Sequence, residues 1–277
     1  MSDDFSAWVG RSEVLTDVLD PARSNALRAA LGLGGALMAG TEMPLLYHWL
    51  YFWNVQPPQG LGPDGHPAKG GFLPPVPLPR RMWAGGRVQF AAPLLLGDTV
   101  TKLSTIKSVT AKSGKSGDLI FVTVEHRLTG SNGLAVIEEQ DLVYKGETAP
   151  GAIAAPAASG SAPTAPWQSQ VMPDPVLLFR YSALTMNGHR IHYDLPYARD
   201  VEAYPGLVVH GPLQATLLAD LAAKSLAKPL TSFAFRGAVP AFAGTRLDVC
   251  GEPAENGGSF WTEQSGGKNM TATVTVG

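Results

Sequence analysis

Apolar positions in this chain follow two periods, and the periods occur in the same order twice. In the C-terminal part, Leu213, Leu217 and Leu221 recur every four residues, which places them on one face of a helix. Gly211-Pro212 opens that helix and Pro229 closes it. Strand-like segments follow near 231–238, 245–252, 258–264 and 269–276. The last, Met270 to Val276, alternates at period two and is rich in β-branched residues. Asn256-Gly257-Gly258 and Gly266-Gly267 mark turns between them.

The N-terminal part predicts the same succession. A helix over 21–32 precedes an aromatic core helix over 44–53, containing Tyr47-His-Trp-Leu-Tyr-Phe-Trp53. A Pro/Gly-rich loop over 54–80 leads into strands near 85–92, 98–110, 118–129 and 134–145. Both parts carry Pro-x-x-x-Gly-x-x-(Val/Leu) at the same point, as Pro93/Gly97/Val100 and as Pro240/Gly244/Leu247. A duplicated unit follows: one central helix with an antiparallel sheet wrapped around it, twice, in an α+β chain. Between the units, Glu147 to Pro166 is dominated by Ala, Pro, Gly and Ser, without aromatic residues or periodicity. Such a segment cannot bury enough apolar surface to order itself, and as a flexible chain it spans about 25 Å. The expected organisation is a domain over 1–146, a linker over 147–166 and a second domain over 167–277.

Composition narrows the functions. Of 277 residues, 16% are charged and the net charge is −2. That gives no field to draw in nucleic acid or an anionic membrane. The low charged fraction implies surface covered by a large ligand or by another subunit, expected as a homodimer. The single cysteine, Cys250, excludes an intrachain disulfide, and no Cys/His spacing matches a zinc site. The start, Met1-Ser-Asp-Asp4, is acidic where a signal peptide is basic, and the most apolar run, 44–53, is too short to span a bilayer. A cytoplasmic location is the resulting expectation.

Candidate chemistry concentrates in residues 180–215. Asn187-Gly-His189-Arg190-Ile-His192-Tyr-Asp194 is followed by Val-Val-His210-Gly211-Pro212, and three of the chain's six histidines lie here. The stretch is loop-like, where catalytic groups commonly sit on a rigid scaffold. A neutral imidazole is the usual general base near pH 7. Gly211 begins a helix whose free N–H groups favour negative charge and whose lack of a side chain permits close approach. A base beside such a helix end suits chemistry next to a carbonyl.

On these residues the chain resembles the MaoC-like family of (R)-specific enoyl-CoA hydratases, whose loop reads Asp-x-Asn-Pro-x-His-x-Asp and precedes a His-Gly at the start of the central helix. It is similar in particular to the two-domain members: the itaconyl-CoA and mesaconyl-C4-CoA hydratases and the mitochondrial 3-hydroxyacyl-thioester dehydratases. Their segments resemble Arg180-Tyr-Ser-Ala-Leu-Thr, Tyr204 to Pro212, and Gly71 to Gly86 here. The resemblance implies a double hot-dog fold and hydration of a double bond conjugated to a thioester. It implies His192 and Asn187 as the groups that bind and activate water, and the Gly211 amide as the group polarising the thioester carbonyl. Position 187 departs from the family's Asp. An Asn orients water but cannot carry a proton, which leaves His192 to act as both base and acid, or Asp194 to assist. The substrate expected is a short, branched dicarboxylyl-CoA of the mesaconyl or itaconyl type. The alternatives are a fatty-acyl 3-hydroxyacyl-thioester dehydratase and a non-catalytic acyl-CoA-binding protein.

Other candidates are weaker. Arg80, Arg81 and Arg190 suit the anionic groups of coenzyme A or a substrate carboxylate. His189, His210 and Asp194 are candidates for substrate contact, with structural hydrogen bonding the competing role. No metal and no cofactor beyond the substrate's own coenzyme A is expected. Gly114-Lys115-Ser116 lacks the upstream glycine of a phosphate loop, since Val109 stands there. No Gly-x-Ser-x-Gly nucleophile elbow occurs.

Overall fold

The computed structural model describes residues 5–114, 117–147 and 163–277. The first half holds β1 (Ser12–Val18), α1 (Pro21–Ala30), β2 (Arg80–Phe90), β3 (Thr99–Gly114), β4 (Gly117–Gly130) and β5 (Gly133–Lys145). The second holds β6 (Trp167–Val171), α2 (Pro175–Thr185), α3 (Gly211–Ser225), β7 (Leu230–Gly237), β8 (Leu247–Ala254), β9 (Gly257–Gln264) and β10 (Gly267–Val276). The strands form one ten-stranded sheet, ordered β1-β3-β4-β5-β2 and then β7-β10-β9-β8-β6. Read inward from either edge, the order is the same. Each half's first strand lies at the outer edge and its second lies at the central seam.

At the seam β2 and β7 pair antiparallel, from Gly85 opposite Arg236 to Gln89 opposite Ser232. A Cβ on Gly85 would lie 2.5 Å from the Phe235 carbonyl oxygen, so only glycine lets the two strands close here. The duplication extends to the shared motif. Gly97 and Gly244 both take left-handed backbone, at φ 91° and 80°.

In the second half the sheet wraps α3, which contacts all five strands. Leu213, Ala215, Leu218, Ala219 and Ala222 on α3 are fully buried. This is the hot-dog arrangement, and the eight strands expected from the pattern are present. Two strands and a helix were not legible. On β1 the alternation is inverted, with Val14 and Val18 exposed while Glu13 and Asp17 face inward. β6 is a polar edge strand, and α2 exposes Val176 and Phe179, so its apolar residues form no single stripe. The stretch expected to be loop from 180 therefore begins inside a helix.

The expected helix over 44–53 is a correction. Only Tyr47–Leu50 turns, as one 3-10 turn, with Leu46 (φ 65°) and Phe52 (φ 60°) in left-handed backbone on either side. Residues of that conformation end a right-handed helix. Among the described residues no helix packs on the first half's strands as α3 packs on those of the second. The 147–166 linker lies mainly outside the described residues; β5 ends before it and β6 begins after it. Among the described residues no helix is long and apolar enough to cross a membrane.

Candidate active site

His192 closes a single 3-10 turn, Arg190–His192, in the loop between α2 and α3, and its side chain is buried. Its Nδ1–H donates to the Val208 carbonyl oxygen at 2.8 Å. A carbonyl only accepts, so the proton sits on Nδ1 and the lone pair on Nε2. Nε2 has no hydrogen-bond partner among the described residues. The ring stacks on His210 at 3.6 Å between centroids and meets His189 edge-on at 5.5 Å. Burial first, then the neighbouring His210 and His189, hold the His192 pKa well below the ordinary histidine value. The imidazole is neutral at pH 7 and offers an acceptor.

The three α-helices begin differently. α1 and α2 each start Asp-Pro, and the Asp20 and Asp174 carboxylates accept from Ala22 N (2.9 Å) and Leu177 N (2.7 Å). α3 starts His-Gly-Pro with no side-chain cap. The His210 ring is held elsewhere, with Nε2 2.8 Å from Ser182 Oγ on α2. The Gly211 N–H is thus left without a hydrogen-bond partner among the described residues, at the positive end of a 15-residue helix. A Cβ on Gly211 would meet only Met270 at 3.7 Å and the Trp83 carbonyl at 3.9 Å, so nothing among the described residues requires glycine there.

Asn187 follows the left-handed cap of α2 at Met186. Its Oδ1 accepts from His189 N at 3.0 Å, and its amide N–H groups have no hydrogen-bond partner among the described residues and suit a water. Asn187 and Pro212 form one wall of a cavity of about 230 Å³. The facing wall comes from the first half: His48 and Trp49 on the 3-10 turn, Lys102 on β3, His126 on β4, Glu138 on β5. His126 and Gln140 also border an adjoining cavity of about 630 Å³, which Arg81 and Lys69 line.

Of the remaining expected contacts, most are committed to the protein. Arg80 and Arg190, expected to meet anionic groups of the substrate, are each held by a carboxylate instead. Buried Arg80 pairs with Glu202 at 3.1 Å and also donates to its carbonyl. Arg190 donates to Asp194 Oδ2 at 2.7 and 3.0 Å. Asp194, through Oδ1, also accepts from Tyr197 N at 3.1 Å, so it fastens the loop. His210 is fully buried and anchors the start of α3 on α2. His189 Nε2 lies 3.0 Å from Glu202 Oε1, and its ring rests on His66 at 4.3 Å. Arg81 alone of the three arginines has no ion pair among the described residues.

Asp64, His66 and His189 bring potential donor atoms within 4.8 Å of one another. They are already joined internally, by an Asp64–His66 contact at 2.9 Å and by Glu202 behind His189. Glu202 therefore ties the first half's Arg80 to the second half's His189. Sequence reasoning missed Glu202, Asp64, His66 and the polar wall of the first half. One signal was available for that wall: Lys102 and Ser104 stand at period-two positions between inward-facing Val100 and Ile106.

The strand order, the helix α3 and the His192/Gly211 arrangement define the class: a double hot-dog protein of the MaoC-like hydratase and dehydratase type. Residues 46–243 match the family model for hydroxyacyl-thioester dehydratase type 2, and the chain belongs to that family. It is 43% identical, over 100% of this chain and 99% of the relative, to mesaconyl-C(4)-CoA hydratase of Chloroflexus aurantiacus. It is 30% identical to the mitochondrial hydroxyacyl-thioester dehydratase type 2 of Schizosaccharomyces pombe, over 91% and 92% of the two chains. Among solved structures, a MaoC-like dehydratase superposes with a TM-score of 0.69 at 16% identity, covering 98% of both chains. HtdX of Mycobacterium tuberculosis does so at 0.65 and 18%, covering 95% of this chain and 100% of that one. At those identities the likeness concerns the fold.

Proposed function

We propose that the protein is a hydro-lyase that adds water reversibly to the double bond of a short, branched dicarboxylyl-CoA of the mesaconyl-C4 type. The observation that carries the reaction is the pairing of a neutral, Nδ1-anchored His192 with the uncapped helix start at Gly211. Full-length similarity to a mesaconyl-C(4)-CoA hydratase supports the substrate.

In the proposed reaction the thioester carbonyl oxygen accepts from the Gly211 N–H, and a water is held between Asn187 and His192 Nε2. Nε2 removes a proton from the water as its oxygen bonds to the β-carbon. The π electrons move through the α-carbon onto the thioester oxygen, where the helix end stabilises the enolate. The imidazolium returns the same proton to the α-carbon, completing C–O and C–H bonds in place of the π bond. Asn187 orients without titrating, so His192 serves as base and then acid.

The reverse reaction on fatty 3-hydroxyacyl thioesters is the second reading, favoured by the family match. The loss of enoyl-thioester absorbance, followed with mesaconyl-C4-CoA, crotonyl-CoA and longer enoyl-CoAs, separates the two. Fastest turnover of the branched diacid supports the proposal. Faster turnover of long unbranched chains overturns it.

A further inference from the structure

The first half's sheet carries a lysine where a core residue belongs. Val100, Lys102, Ser104 and Ile106 alternate onto the inner face of β3, and all except Lys102 are fully buried. Lys102 is half-buried, lines the 230 Å³ cavity opposite Asn187 and Pro212, and has neither a hydrogen bond nor an ion pair among the described residues. Its ammonium lies 5.1 Å from the centre of the Phe52 ring. Phe52 holds left-handed backbone at φ 60°, a conformation costly for an aromatic residue, and is fixed by a bond from its N–H to Asp17 Oδ2 at 2.9 Å. The chain thus maintains local strain at the residue that seats the lysine.

The carboxylates around Lys102 do not pair with it. Glu138 Oε2 lies 2.9 Å from His48 Nε2, and Oε1 accepts from Trp49 Nε1 and Gln140 Nε2, both at 2.9 Å. Glu13, inward-facing on β1, stays beyond ion-pair distance. His126 is bonded to Ser104 Oγ at 2.9 Å, and burial lowers its pKa to about 4, so it adds no positive charge near neutrality. Burial also lowers the Lys102 pKa, which means that an ammonium here gains more from an arriving anion than a surface lysine does.

We propose that Lys102 is the receptor for the free carboxylate of the acyl group and so sets the preference for dicarboxylyl over monocarboxylyl thioesters. This rests on the hydratase reading for what enters the cavity. The cavity lies beside Asn187 and the start of α3, and its volume of about 230 Å³ compares with about 150 Å³ for a cavity that admits one six-carbon ring. That suits a four- or five-carbon diacid acyl group and not a long chain. Arg81, which has no ion pair among the described residues, faces the larger adjoining cavity, which puts it at the coenzyme A side of the substrate in this proposal.

Calorimetric binding of succinyl-CoA and butyryl-CoA to the full chain tests the proposal. The two thioesters have equal carbon chains, lack a conjugated double bond, and differ in a terminal carboxylate against a methyl. Wild-type protein is expected to bind succinyl-CoA about tenfold to a hundredfold more tightly, the range of a charge-assisted hydrogen bond. In Lys102→Met the ratio falls towards one, and in Lys102→Arg it is largely regained. A wild-type ratio near one overturns the proposal, which needs no variant to fold. So does a preference that survives Lys102→Met, and its collapse in Arg81→Met instead assigns the carboxylate to Arg81. A retained succinyl-CoA preference without hydration of any enoyl-CoA sinks the hydratase reading alone. Hydration of mesaconyl-C4-CoA without the preference sinks the subsite alone.

Discussion

His192 lies flat on His210, with ring centroids 3.6 Å apart and 20° between the planes. Two imidazoles so placed and so buried cannot both carry charge, and burial lowers the His210 pKa to about 3. Burial is what keeps the proposed base neutral, His210 adding to it, and the stack joins that base to the residue that precedes Gly211.

Replacing His192 by Ala removes the proposed base, and hydratase activity is expected to fall by at least about a hundredfold. Steady-state rates with mesaconyl-C4-CoA measure this. A variant within a few-fold of wild type would end the assignment.

The pH profile follows from the same burial. Because the His192 pKa is lowered, this imidazole stays unprotonated well below pH 6.5 in the free protein. The acid limb of kcat/KM is expected below that value. A limb centred at 6.5 would show an ordinary, solvated histidine.

Acid should also unfold the protein early. His126 and His210 take up protons near 4 and 3 when folded but near 6.5 when unfolded, so in that interval the unfolded chain binds more protons. Their contribution is whole above about pH 6.5 and is lost as pH falls towards 4, at up to ~1.4 kcal/mol per pH unit for each. Melting temperatures across pH 4–8 measure it. A flat profile between 6.5 and 4 would contradict the buried neutral state.

Gly65 and Gly188 touch back to back. A Cβ on Gly65 would stand 2.0 Å from the Gly188 carbonyl oxygen, and Gly65 is itself left-handed at φ 86°. Gly65→Ala is expected to push the loop that bears His66 away from the loop that bears His189 and His192. Activity should drop by about tenfold or more, with a melting temperature lowered by several degrees. Unchanged kinetics would mean that the first half's loop does not position the site.

Gly211→Ala distinguishes a ligand requirement from a folding one. The added methyl meets only ordinary contacts within the chain, so the melting temperature should hold. The methyl instead stands where a thioester would approach the N–H, and kcat/KM is expected to fall at least about tenfold. Full activity would remove Gly211 from the oxyanion site.

Eight strands, the helices α1 and α3, the repeat of one unit and the candidate pair His192/Gly211 were all legible in the sequence. Each rests on local rules: period-two alternation, a leucine stripe, glycine turns, and a motif whose members lie within 25 residues. Tertiary structure alone decided the rest. It reduced the aromatic segment at 44–53 to one turn, because Leu46 and Phe52 take conformations that no periodicity records. It paired Arg80 with Glu202, 122 positions away, and so withdrew an arginine that the residue type alone had offered to substrate. It also turned Lys102, His126 and Glu138 into the wall facing Asn187. These residues meet only because the two halves of the sheet join edge to edge at β2 and β7, and contacts between the halves depend on chain-distant geometry and not on any local pattern.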